Sequence, residues 1–473
     1  MEEKTTFKQT LGLLDGTLLV IGSMIGSGIF IVSADIARNV GSAGWLMVVW
    51  LITGFMTISA AVSYGELSGM YPKAGGQYVY LKEAYNPLIA FLYGWSFFAV
   101  IQTATIAAVA IAFSKFTAYL WAAVGEDVIL LSLGSWQISA AQLLGIVIII
   151  LLTYVNTRGV EEGKLIQRVF TATKLISLFG LILAGFWALD ADIWASNWNS
   201  SAWTIGFPTE NAATTWEVIA YPGIGAILGA IAASMVGSVF SSDAWNNVTF
   251  IAGEMKNPQR NIGLSLFLGT LTVTLIYVGA NIMYTGVLPM SEIAFAKNDR
   301  VAVAASQVIF GEIGTVLIAV MIMVSTFGCN NGLILSGARV YYTMAQDGLF
   351  FRQAKQLNAK AVPAWALWAQ CVVASVLCLS GQYGNLLDMV SFVVVLFYVL
   401  TIVGIFILRK KAPNHPRPYK AFGYPMIPIL YILMGVTFCL LLLVYKPAYT
   451  WPGFIIVGLG IPLYFWAKKS IVA

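Results

Sequence analysis

Long charge-free runs constrain this chain more than any other feature. A helix needs about 20 mostly apolar residues to cross the hydrocarbon core of a bilayer. Eleven runs of 19 to 31 residues carry no charged side chain: 16–34, 39–65, 86–114, 128–157, 218–242, 261–291, 313–338, 361–387, 389–408, 421–445 and 447–467. A twelfth, 169–189, carries one charge, Lys174. Twelve membrane spans are the expectation, and a water-soluble fold is excluded. With 59% apolar and 10% charged residues, against about 45–50% and 25% in soluble domains, the composition agrees.

The spans leave no stretch long enough for a separate soluble domain, so a single polytopic domain covers 1–473. The polar N-terminal segment, with Glu2, Glu3, Lys4 and Lys8, lacks the basic region set against a short apolar run that marks a secretory signal; the first span is expected to be retained. If each run crosses once, Arg38, Lys115, Lys297, Arg300 and Lys446 are the basic residues on one side, Lys174 is intramembrane, and the rest of the 26 lysines and arginines lie on the other. Positive residues accumulate on the cytoplasmic side, which predicts cytoplasmic termini and accounts for the +5 net charge without a nucleic-acid partner. Cys329, Cys371, Cys378 and Cys439 all fall inside spans, so no disulfide framework is expected. His415 is the one histidine, which rules out a histidine triad or a multi-histidine metal site within a span. No cofactor, no metal and no enzymatic activity are expected.

Spans one and six share poor helix formers in mid-membrane: Gly22-Ser23-Met24-Ile25-Gly26-Ser27-Gly28 and Gly237-Ser238-Val239-Phe240-Ser241-Ser242-Asp243-Ala244. Small residues at such positions serve close helix packing or mark helices broken so that freed backbone groups line a cavity. Two interrupted segments five spans apart favour breaks, because an odd period inverts topology and sets both breaks facing each other at the midplane. Spans one to five (11–190) and six to ten (218–408) then form inverted repeats, with spans eleven and twelve (421–467) appended. The Trp-rich connection after span five (Trp194, Trp198, Trp203, Trp216) suits the membrane interface.

Ionisable groups within a bilayer are costly and functional by default. Lys174 lies six residues past Arg168, about 9 Å along the helix; it either snorkels back to the interface or turns inward onto carbonyls of a broken helix. Asp243 is open to three roles: cation or proton site, ligand for a substrate ammonium, or N-cap of the half-helix after the break. Asn281, Asn330 and Asn331 suit interhelical hydrogen bonding.

These segments carry a resemblance. The span-one motif through Ile29-Phe30, Gly65-Glu66-Leu67 with Pro72-Lys73-Ala74-Gly75-Gly76, Gln167 to Lys174, Asp243-Ala244-Trp245-Asn246-Asn247 with Gly253 to Asn261, and Arg417-Pro418-Tyr419-Lys420 with Gly423-Tyr424-Pro425 resemble the amino acid–polyamine–organocation superfamily, and within it the L-type amino acid transporters including bacterial members. The resemblance implies an all-α fold with five-plus-five inverted repeats and alternating-access transport of amino acids. It implies that a substrate carboxylate meets the backbone N–H groups of Gly26, Ser27 and Gly28, where a half-helix begins and its dipole is positive. The substrate ammonium would meet carbonyls at Met24 and around Phe240, Ser241 and Asp243, with Ile25 and Ser242 completing the site. It also implies that Phe240 is an aromatic gate, and that Lys174, near Cys329 and Asn330, stands where sodium sits in sodium-driven relatives.

Two departures matter. Ser242 occupies a position commonly aromatic in relatives, which points to a larger or differently shaped pocket. The connection 119–137 contains no cysteine, so a disulfide-linked heavy subunit is not expected, and a stand-alone protein of a bacterial inner membrane fits. The expected function is a sodium-independent exchanger of neutral L-amino acids; a proton-coupled symporter and a carrier of cationic amino acids or polyamines are the alternatives. The latter is disfavoured because spans three and eight lack acidic residues.

Overall fold

A computed structural model describes residues 7–133, 136–209, 216–380 and 383–472. Glu2, Glu3 and Lys4, and the side chains of Lys164, Asp388 and Lys469, lie outside the described part. Among the described residues ten helices are long and apolar enough to cross a membrane. The first apolar run forms a helix pair instead, Leu13–Met24 and Gly28–Val40, bent by 43°. The ninth forms a shorter helix, Ala364–Ser380. Each of the twelve apolar runs thus contains helix, and the chain is an all-α membrane protein; among the described residues strands occur in two small antiparallel pairs.

Those pairs correct the boundaries set by charge alone. The run 128–157 begins as strand Ile129–Leu133, paired with Trp136–Ser139, and its helix is Ala140–Arg158. Ser139 caps that helix in a reciprocal bond with Gln142. Likewise strand Val218–Ala220 pairs with Gly206–Pro208 before helix Ile224–Ser241 starts. In the run 361–387 one helix ends at Ser380 and the next, Tyr383–Lys411, has already begun. Absence of charge measures transfer into hydrocarbon and carries no information on backbone period, so apolar strands at span ends read as helix.

Span two (Ala43–Met70) packs along span seven (Pro258–Val287). Span eight (Val301–Gln346) lies against span three (Pro87–Leu120) and span five (Val160–Trp187). The first half of span one contacts spans five and seven, and its second half lies on span six. Short helices follow spans two and seven: Gln77–Ala84 and Met290–Ala294. Span eight begins with a segment that turns at Gly311, whose φ of 67° is open to glycine and strained for other residues. Two broken elements and the helices that hold them occupy the centre of the bundle.

Candidate functional site

The helix of span one stops at Met24. Ile25 is extended, with ψ at 93°, and helix resumes at Gly28. The stop is held by span five, whose Gln167, Thr171 and Lys174 recur on one helical face. Gly22 stays helical but admits this face closely; a Cβ there would sit 2.0 Å from Gln167 Nε2 and 2.3 Å from Thr171 Oγ1. Gly22 therefore serves packing while Gly26 lies in the break, and both readings of the motif hold at different residues.

Lys174 is 1% exposed. Its ammonium donates to the carbonyls of Gly22 (2.9 Å), Ile25 (2.7 Å) and Ser325 (2.9 Å), using all three of its donors. Snorkelling is excluded, because the helical face that packs against span one carries the side chain inward. The Ser325 hydroxyl reinforces the break from span eight by donating to the Ile25 and Gly26 carbonyls (3.2 and 3.1 Å). One turn on, Cys329 donates its thiol to the Ser23 carbonyl at 3.0 Å. Asn330, next along span eight, is buried with neither amide atom hydrogen-bonded among the described residues, whereas Asn331 bonds Gly163, Gln167 and Asn156. Asn281 serves interhelical bonding as expected, accepting from Ser33 at 2.7 Å.

The helix of span six ends at Ser241. Beyond it, the N–H of Asp243 donates to the Phe240 carbonyl at 3.1 Å and Ala244 turns left-handed, with φ at 63°. A single helical turn, Asn247–Phe250, and a short 3-10 turn, Ala252–Glu254, come next. The half-helix expected here is thus much abbreviated, and Asp243 does not cap it; Asn246 precedes the turn and makes no side-chain cap. Asp243 instead accepts the Tyr398 hydroxyl of span ten at 2.5 Å. A carboxylate in the bilayer interior gains more from a fixed donor than from a one-turn helix, whose dipole is small.

The two breaks meet. A Cβ on Gly28 would fall 1.9 Å from Ser241 Oγ, so only hydrogen fits there. From span seven, Tyr277 donates its hydroxyl to Met24 O (3.2 Å) and Ser241 O (2.8 Å), placing carbonyls of both breaks within reach of one group. Phe240 and Ser242 are buried beside them, and Ser242 lines a cavity with Val239, Asp243 and Tyr398. A second cavity adjoins Asp243 on the side where span three begins. Gln77, Tyr93, Gln102, Asn246 and Asn247 line it. Among the described residues no group of three or more histidine, cysteine, aspartate or glutamate side chains gathers as metal ligands would.

Sequence reasoning missed Tyr277, Ser325 and Tyr398, because a tyrosine or serine in an apolar run has no spacing that distinguishes it. It also placed Arg339 in a loop flank. Arg339 is a helical residue of span eight, fully buried, and pairs at 2.9 Å with the equally buried Glu254 after the span-six break. Related ion pairs close the same end of the bundle: Asp15 with Arg168 at 2.5 Å, and Glu66 with Arg409 at 2.7 Å. Counting charges flanking spans could have flagged Arg339, since only one other charge, Glu312, lies between it and Arg300.

The family model described as amino acid permease matches residues 11–464. The chain is 29% identical over 471 residues to the serine/threonine exchanger SteT of Bacillus subtilis, covering 99% of this chain and 98% of that one. It is 28% identical to the human large neutral amino acids transporter small subunit 2, over 97% of this chain and 80% of that protein. The mouse b(0,+)-type amino acid transporter 1 is 27% identical, with 94% and 85% covered.

Proposed function

Because the chain belongs to the amino acid permease family, of the amino acid–polyamine–organocation superfamily, and is a multi-pass membrane transporter of amino acids, we propose that it is a sodium-independent exchanger of neutral L-amino acids. The observation that carries this reading is the Lys174 ammonium. It fills a nest of carbonyl oxygens from the last turn of the first half-helix, from the break itself and from span eight, with the Ser325 hydroxyl alongside. Such a ring of hard oxygen donors is what a small cation would otherwise occupy, and a permanently attached cation removes the need for one from solution.

A zwitterionic substrate would place its carboxylate on the N–H groups of Gly26, Ser27 and Gly28, at the start of the helix Gly28–Val40. Its ammonium would take carbonyls of Met24, Phe240 and Ser241, beside the Tyr277 hydroxyl that holds Met24 O and Ser241 O together. Backbone groups then read what all amino acids share, and side chains around Ile25, Phe240, Ser242 and Asp243 read the remainder. Cys329 and Asn330 lie on the span-eight side that steadies the first break. Repeats 11–190 and 218–408 would rock about this site, with 421–467 outside the moving pair. Exchange among relatives includes that named for the SteT protein, which supports exchange here.

Positive residues on the termini side support cytoplasmic termini, and the first relative's bacterial source supports an inner-membrane location. The lack of cysteine in 119–137 supports function without a disulfide-linked subunit. The test is counterflow in proteoliposomes without sodium. Labelled L-alanine should accumulate only when unlabelled amino acid is inside, at equal rates with and without a proton gradient. Accumulation in empty vesicles driven by that gradient would replace exchange by proton coupling.

A further inference from the structure

Away from the two breaks, a cavity of about 320 Å3 lies between span five and span eight. Span five offers it one helical face, with Ser177, Gly180, Leu181 and Ala184 at i, i+3, i+4 and i+7. A Cβ on Gly180 would meet no atom within 4 Å, so these small residues leave the two helices apart instead of drawing them together. Leu317 and Met321 of span eight form the opposite wall. The bent start of span eight is the roof, where Ser306 donates across the turn at Gly311 to the Gly314 carbonyl (2.7 Å), which commits that hydroxyl. Among the described residues no charged side chain lines the cavity. Ser177 and Ala184 lie three and ten residues past Lys174, about 5 and 15 Å along the helix, in the half of the membrane farther from the termini. The rims face lipid: Ile176 is 73% and Ile313 81% exposed, with Phe179, Leu183 and Val320 exposed beside them. The cavity therefore continues the surface that this membrane protein presents to hydrocarbon, and acyl chain is what reaches it sideways from the bilayer.

We propose that this cavity seats one acyl chain of a phospholipid, wedged between spans five and eight, and that the chain completes the packing around the Lys174 nest. An apolar cavity of about 150 Å3 takes up benzene, so one of about 320 Å3 has room for a chain segment. Space beside the lining costs those side chains their dispersion contacts, and the chain restores them. The cavity begins one turn from the nest on both helices: Ser177 follows Lys174, and Met321 precedes Ser325, whose carbonyl accepts from the ammonium. Its roof follows Asp299, which accepts from Arg38 at the end of the helix Gly28–Val40 (2.7 Å). A seated chain thus bears on elements bonded to both halves of span one, since Lys174 holds the Gly22 carbonyl of the first half.

The test uses proteoliposomes containing a phosphatidylcholine with a diazirine in the middle of one acyl chain. After irradiation, adducts on Leu181, Leu317 and Met321 should exceed those on Leu433 and Leu440, exposed residues of span eleven (Met426–Tyr445). In Gly180→Leu the cavity adducts should fall about tenfold, because the added side chain takes the room of several methylenes, while the span-eleven adducts stay unchanged. Ala184→Leu enters from the same face and keeps the test if Gly180→Leu fails to fold. In detergent, added phosphatidylcholine should raise the thermal midpoint of the parent more than that of Gly180→Leu, since a ligand stabilises the fold that binds it. Cavity adducts no more frequent than those of span eleven, or undiminished in both variants, would overturn the site, and equal thermal shifts would overturn its packing role. Cavity adducts that vanish as the ratio of protein to lipid rises would give the cavity to a second copy of this chain and overturn the lipid as its occupant.

Discussion

Replacing Lys174 by methionine keeps most of the side chain's length and removes its three donors. The Ile25 carbonyl retains the Ser325 hydroxyl at 3.2 Å, but the Gly22 and Ser325 carbonyls lose the partner that ties spans one, five and eight together. At about 1–3 kcal/mol for each buried group left without its partner, the gross cost is about 2–6 kcal/mol. Methionine also relieves the burial of a charge, so the low end, about 2 kcal/mol, is the expected net, equivalent to about 30-fold in an equilibrium. If substrate binding requires the break as Lys174 holds it, alanine exchange in proteoliposomes should fall about 30-fold in Lys174→Met while the protein remains monodisperse in detergent. Lys174→Arg should not rescue it, because a planar guanidinium cannot aim donors at three carbonyls around a point. Exchange within twofold of the parent in Lys174→Met would mean that binding does not depend on the ammonium holding the break.

Gly28→Ala should abolish exchange, since its Cβ would lie 1.9 Å from Ser241 Oγ and 2.5 Å from Ser241 Cβ; adding Ser241→Gly should restore most of it, as initial uptake rates will show. Tyr277→Phe removes the hydroxyl that bridges Met24 O and Ser241 O, and should lower exchange about tenfold, the effect of roughly one to two hydrogen bonds, with the ring packing against Trp50 kept. Glu254→Gln leaves the Arg339 charge buried without its counter-charge and should cost about 3–5 kcal/mol, read as a lower thermal midpoint in detergent. The double replacement Arg339→Met with Glu254→Leu should cost less, because no charge is then stranded.

The all-α membrane character and the two interruptions were legible in the sequence because lipid imposes a length and a polarity that no soluble packing can mimic. The hairpin around Ile129–Leu133 was not, since apolar strand and apolar span differ only in period. Lys174 was legible as exceptional, yet its direction depended on the face shared with Gln167 and Thr171, which becomes meaningful once Gly22 is known to lie against it. Asp243 was noticed for its charge, but capping, one of its three candidate roles, does not hold, because its partner Tyr398 is 155 residues away. Tyr277 is the clearest omission: its bonds to Met24 and Ser241 span 253 and 36 residues, a relation fixed by the packing of span seven and invisible to local pattern.

Recognition by backbone groups at the two breaks requires both the carboxylate and the ammonium that L-amino acids share. Competition against labelled L-serine binding to the purified protein, in sodium-free buffer, measures that requirement. L-serine itself should compete, while D-serine and ethanolamine, which is serine without its carboxylate, should not. Equal competition by ethanolamine would show that recognition bypasses the N–H groups of Gly26, Ser27 and Gly28, and the binding mode proposed for the two breaks would fall.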